Sequence, residues 1–128
     1  MRLLLDTHLL LWAASEPDRL PVEAAALNED EANALGFSAA SIWEVAIKAG
    51  LGRADFHADA GLLRRGLIDN GYAELAITAA HAAAVAALPP LHRDPFDRML
   101  VAQAQVEGVC LLTADPVLAG YPAAVRVV

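Results

Sequence analysis

The sequence predicts an α/β fold, with a parallel sheet covered by helices on both faces. Two observations lead there. Short runs that are apolar throughout, the pattern of strands buried on both faces, recur along the chain. Between them lie longer segments whose apolar residues step at helical spacing, and strands alternating with helices imply a parallel sheet. At 128 residues, 57% of them apolar, the chain can bury a sizeable core and is read as one domain, 1–128.

The elements follow in order. Residues 2–5 are a first apolar run, ended by Asp6, and 7–14 read as a helix. Pro21 suits the first helical position, so the Ala-rich stretch 22–32 reads as a second helix. Residues 35–37 are a weak strand candidate. Ser41-Ile42-Trp43-Glu44 matches a capping box, with a helix running on to about Gly50. Leu62, Leu63, Gly66 and Leu67 mark a helical face that Asn70-Gly71 ends. Residues 72–77 read as a strand, and Thr78 caps an Ala-rich helix that Pro89-Pro90 stop. Asp94 is a good N-cap with Pro95 behind it. Phe96, Met99, Leu100, Gln103 and Val106 then step at helical spacing until Gly108. Residues 109–113 form a strand, Asp115-Pro116 start another turn of helix, and 125–128 suit a final strand.

Composition narrows the function. The net charge is −7 and the pI about 4.8. A protein that holds nucleic acid by bulk charge is usually basic, so any such substrate must be met in another way. The single cysteine, Cys110, permits no disulfide within the chain, which fits a reducing cytosol; its apolar surroundings suggest a buried, inert thiol. Asp6 and His8 interrupt the N-terminal apolar stretch, and no small-residue cleavage site follows it. The longest uncharged stretch, 75–91, contains His81, ends in Pro89-Pro90 and is too short and Ala-rich for a membrane span. The expectation is a soluble cytoplasmic protein with no membrane association.

Four acids stand out. Each has an ordinary explanation: Asp6 ends a strand and caps a helix, Glu44 completes the capping box, Asp97 faces a helix dipole, and Asp115 caps a turn before Pro116. Their shared location says more. Asp6 and Asp115 follow strands, Glu44 lies one turn into the helix after another strand, and Asp97 lies in the first turn of a helix leading into the strand at Val109. In open α/β sheets, ligands bind at the carboxyl ends of the strands. Two carboxylates 4 Å apart near a surface repel by roughly 4 kcal/mol at an effective dielectric of 20. A divalent cation relieves that repulsion, and carboxylates with water are what Mg2+ or Mn2+ prefers. No Cys/His cluster offers zinc an alternative. A metal held by acids activates water and polarises a phosphoryl oxygen, and it bridges an acidic protein to a polyanion. The pattern suggests phosphodiester hydrolysis.

The segments LLLDTHLLLW (3–12), SIWEVAIK (41–48), HRDPFDRMLVAQA (92–104) and LLTADPVL (111–118) resemble the PIN-domain ribonucleases, and most closely the toxin subunits of VapC-type toxin–antitoxin pairs. That resemblance implies a three-layer α/β/α sandwich with a central parallel sheet and a Mg2+- or Mn2+-dependent endoribonuclease. It implies a site formed by Asp6, Glu44, Asp97 and Asp115. Asp6 and Asp97 hold one metal ion, directly or through water, Asp115 completes the site or helps with a second ion, and Glu44 orients or deprotonates the attacking water. It also implies RNA as substrate, a small antitoxin as inhibitor and a homodimer. Asp94 is taken as the helix cap that aims Asp97, with a fifth site acid as the alternative. Arg93 and Arg98 either contact an RNA phosphate or offset local negative charge.

Weaker signals are read conservatively. Thr7 and Thr113 support the acids or cap helices. His8, His92 and His81 are read as surface or structural, and His57 has no context. Trp12 and Trp43 suit core or interface positions, and Glu29, Asp30 and Glu31 a solvated helix end. A haloacid-dehalogenase-like phosphotransferase would need D-x-D where His8 stands. A dinucleotide site would need G-x-G-x-x-G after the first strand. A catalytically silent PIN-like binding module is the main alternative.

Overall fold

The computed structural model describes residues 1–53 and 56–128. Five strands form one parallel sheet: β1 (Arg2–Leu5), β2 (Ala34–Ser38), β3 (Ala73–Leu75), β4 (Cys110–Thr113) and β5 (Val125–Val127). Their order across the sheet is β3-β2-β1-β4-β5. The helices are α1 (Thr7–Ser15), α2 (Val22–Glu29), α3 (Ala39–Gly50), α4 (Ala60–Asp69), α5 (Ala79–Val85) and α6 (Pro95–Glu107), with 3₁₀ turns at Pro17–Arg19 and Pro116–Gly120.

Successive residues of a strand point to opposite faces, and the core follows that alternation. Leu3 and Leu5 of β1 and Leu112 of β4 pack with Leu9, Leu10, Val45, Leu63 and Leu67, under α1–α4. Leu4 and Leu111 face the other way, onto Leu100, Val101 and Ala104 of α6, with α5 beside them. The result is the expected three-layer α/β/α sandwich, with β1 at its centre and buried on both faces.

Local chemistry sets the boundaries. Asp94 Oδ1 accepts the Phe96 and Asp97 amides, Pro95 opens α6, and Gly108 ends it in the left-handed region at φ +67°. Thr78 and His81 form a reciprocal capping box on α5. The cap expected at Ser41 lies elsewhere: β2 runs directly into α3, and Ser38 Oγ accepts the Ala40 amide. Ser41 is inside the helix, buried, with its Oγ accepting from Thr7 Oγ1. Thr7 therefore ties α1 to α3 and does not reach an acid. Pro21 is the N-cap of α2, one position before that expected. That helix stops at Glu29, because Asp30 turns the chain and accepts the Ala32 amide. β3 is shorter than the 72–77 run, and α5 ends at Val85, before the prolines. Cys110 is half-buried rather than buried, and burial pushes its thiol up.

No helix among the described residues is long and apolar enough to cross a membrane. A cavity of about 690 Å³ lies among α1, α2, β2 and α4, lined by Ser15, Asn28, Leu35 and Tyr72 but by none of the four acids.

The two glycine environments give opposite predictions. A left-handed conformation costs an L-residue roughly 1–2 kcal/mol, so Gly108→Ala lowers the unfolding free energy by about that amount. Gly66 lies within α4, and a Cβ there meets nothing within 4 Å. Gly66→Ala therefore stabilises by about 1 kcal/mol. Urea denaturation of both variants checks the pair of signs.

Candidate functional site

The carboxyl ends of β1, β2 and β4 carry the acids. Asp6 follows β1, and its amide bonds to Leu112 O at 2.9 Å, so the sheet itself fixes its position. Its Oδ1 caps α1 through the Leu9 amide at 2.9 Å, and its Oδ2 accepts from Thr113 Oγ1 at 2.5 Å. Thr113 is thus the supporting threonine, and it also accepts the Asp115 amide. Burial pushes the Asp6 carboxyl up, opposed by the hydrogen bonds from Thr113 and Leu9.

Asp97 lies where the charges meet. Its carboxyl is pushed up to about 7, first by burial and then by the charges of Asp94, Glu44 and Asp6, while His92 works the other way. Glu44 is only 3% exposed, and its Oε2 meets Lys48 Nζ at 2.5 Å. Glu44 Oε1 is buried with no hydrogen-bond partner among the described residues. Asp94 is the cap of α6 and also a neighbour in this cluster, its Oδ2 3.6 Å from Lys48 Nζ. Asp115 caps the 3₁₀ turn with Oδ1, through the Val117 amide, and joins the cluster through His92.

Two participants were not legible as such. The sequence suggests a surface or structural role for His92, yet its Nε2 is 2.9 Å from Asp115 Oδ2 and 3.4 Å from Asp97 Oδ2. Its Nδ1 accepts the Asp94 amide at 3.0 Å, so the ring proton sits on Nε2 and is donated to the acids. Lys48 was not singled out, although a Glu and a Lys four apart on a helix share a face. Arg98 is engaged within the protein. It donates to Pro89 O, Val85 O and Tyr121 Oη, tying α6 to the loop before it. Arg93 is exposed. His81 is structural as read, buried and 2.9 Å from Glu107. Trp12 packs on the core, whereas Trp43 is 59% exposed and rests edge-on against Phe96.

The donor set fits a divalent cation. The nitrogen, oxygen and carboxylate donors of His92, Asp97 and Asp115 lie within 4.8 Å of one another. The amide held on Nδ1 makes His92 a hydrogen-bond donor there rather than a ligand, so the donors of this group are the carboxylate oxygens of Asp97 and Asp115, of the kind Mg2+ and Mn2+ take, while Asp6 and Glu44 are not part of it. The raised Asp97 carboxyl and the unpartnered Glu44 oxygen are what a crowded carboxylate site shows without a cation.

A parallel α/β sandwich with clustered acids at the carboxyl edge of its sheet defines a class, and the comparisons place the chain within it. Residues 3–123 match the PIN domain family model, and the chain belongs to that family. Among solved structures, VapBC2 from Rickettsia felis, bound to a DNA fragment from its promoter, has the same fold. Its TM-score is 0.69 at 13% identity, covering 100% of this chain and 99% of that one. A domain of a functionally unknown protein from Methanocaldococcus jannaschii has a TM-score of 0.59 at 15% identity, with 99% and 90% covered. No curated protein sequence matches.

The Asp97 environment predicts a pH dependence of stability in the metal-free protein. A carboxyl raised from 3.8 to about 7 on folding binds its proton more tightly in the native state. Native stability therefore falls as pH rises from about 4 to about 7 and levels off above. Asp97→Asn removes that slope and is more stable than wild type at pH 8, by a few kcal/mol at most. Urea titrations in EDTA across this range, wild type against variant, measure the difference.

Proposed function

We propose that this protein is a metal-dependent endoribonuclease, the VapC-type toxin subunit of a toxin–antitoxin pair, acting on RNA in the cytoplasm. The observation that carries the reading is the grouping of Asp97 and Asp115 with His92, within 4.8 Å, at the carboxyl edge of a PIN-family sheet, where the charges of Asp94, Glu44 and Asp6 also act on Asp97. PIN domains are generally nucleases, and likeness in fold to VapBC2 supports the toxin assignment.

Asp6, Asp97 and Asp115 supply the oxygen ligands for Mg2+ or Mn2+. When bound, the cation acidifies water and stabilises charge developing on a phosphoryl oxygen. Glu44 Oε1, without a hydrogen-bond partner among the described residues, orients the attacking water and accepts its proton. Thr113 holds Asp6, and His92 holds Asp115 beside Asp97. With a net charge of −7 the chain depends on the cation to approach RNA phosphate. Trp43 and Ile47 of α3 and Leu51, its C-cap, lie four apart and are 59%, 38% and 74% exposed. That apolar stripe beside the site supports a partner surface, for an antitoxin or a second copy.

Purified protein incubated with total cellular RNA and Mg2+ or Mn2+ yields discrete cuts, mapped by sequencing the ends. EDTA abolishes them. Asp6→Asn lowers the rate about a hundredfold or more with the circular-dichroism spectrum unchanged. A fully active Asp6→Asn protein sinks the scheme. Metal uptake without any cuts favours the silent PIN-like binding module.

A further inference from the structure

We propose that Lys48 is a built-in cation standing in for a second divalent ion, so that the site binds one metal ion per chain. This rests on the metal-binding reading above and concerns how many ions that site takes.

Lys48 is held as a fixed part of the site. Its Nζ lies 2.5 Å from Glu44 Oε2 and 3.6 Å from Asp94 Oδ2, and its side chain is 16% exposed. The ammonium sits over the Phe56 ring at 5.0 Å and near the Phe96 ring at 5.7 Å, contacts that hold a cation on its far side. Burial works against its charge. The hydrogen bond and charge of Glu44, with the charge of Asp94, more than offset that and raise its pKa.

The partners of the carboxylate oxygens set the count. Asp6 gives both oxygens to Leu9 and Thr113. Asp94 gives one to the α6 amides and turns the other to Lys48. Asp115 gives one to Val117 and the other to His92. Glu44 gives Oε2 to Lys48 and keeps Oε1 without a partner. Among the described residues, the Asp97 carboxylate has only the 3.4 Å contact with His92. Asp97 thus has the oxygens left for the cation, and Glu44 Oε1 is left for water. Two-metal sites place their ions about 3.5–4 Å apart, bridged by shared oxygens. On the Glu44–Asp94 side an ammonium already engages the oxygens such a second ion would need.

Isothermal titration calorimetry with Mn2+ on EDTA-stripped protein tests the count. Wild type and Lys48→Arg, which keeps the charge, take one Mn2+ per chain. Lys48→Met keeps the length and the contact with the two rings but loses the charge, and takes two. A wild-type count of two overturns the proposal, as does a folded Lys48→Met protein that takes one. Thermal melting checks that each variant folds, and the wild-type count stands whichever variant fails. A wild-type chain that takes up no Mn2+, or whose uptake survives Asp6→Asn and Asp97→Asn, overturns the metal reading itself and this proposal with it.

Discussion

The Thr113 hydroxyl donates to Asp6 Oδ2 across the seam between β1 and β4, and the rest of the acid cluster is arranged around that contact. Asp6 is 6% exposed. A carboxylate so buried needs hydrogen bonds to keep its charge, and it has one from Thr113 and one from the Leu9 amide. The parallel register of β1 with β4 brings Leu5 opposite Leu112, so Thr113 comes level with Asp6 one residue later. The sheet register thus also fixes the chemistry. Only with Asp6 fixed and charged does its field reach Asp97, and only then does the start of α6 matter to anything beyond α6.

Helix caps are the second organising device. Asp6, Asp94 and Asp115 each give Oδ1 to a backbone amide, so a helix or turn end fixes each side chain's rotamer. Each then turns Oδ2 inward: to Thr113, to Lys48 and to His92. The ordinary and the functional readings of these acids are therefore the same geometry seen from two sides. Glu44 and Asp97 cap nothing, and they are the acids whose oxygens remain least engaged. The repulsion among them opposes folding in the absence of a cation, a conflict expected where a site's chemistry and the stability of its fold make different demands.

What the sequence made legible follows from how local the cause was. Continuous apolar runs disclosed β1 and β4 because both are buried on two faces, and Asp94-Pro95 disclosed the start of α6 because cap chemistry acts within four residues. The acids were legible through their position after strands. Ser41 misled because its spacing to Glu44 suits a capping box, while the true cap, Ser38, is set by where β2 ends. His92 and Lys48 stayed hidden for a different reason. Their partners, Asp115 and Asp94, lie 23 and 46 residues along the chain, and only the crossovers between parallel strands bring them together. Arg98, placed by sequence among the charges of the site, donates to the Val85 and Pro89 carbonyls, beyond the amides of Leu88 and Leu91 that they already accept.

The strand order also bears on how the protein is made. β1 emerges first from a ribosome, yet it is completed on one side by β2 and on the other by β4, which begins at Cys110. Until residues near Thr113 have been synthesised, Asp6 lacks its hydroxyl donor and Asp115 does not exist. A nascent chain of a hundred residues carries most of the acids and none of the arrangement. Non-local pairing of this kind slows folding, and here it also delays assembly of the site. For a protein proposed to cut RNA, the ribosome translating it would face an assembled site only once β4 and the turn after it have been made.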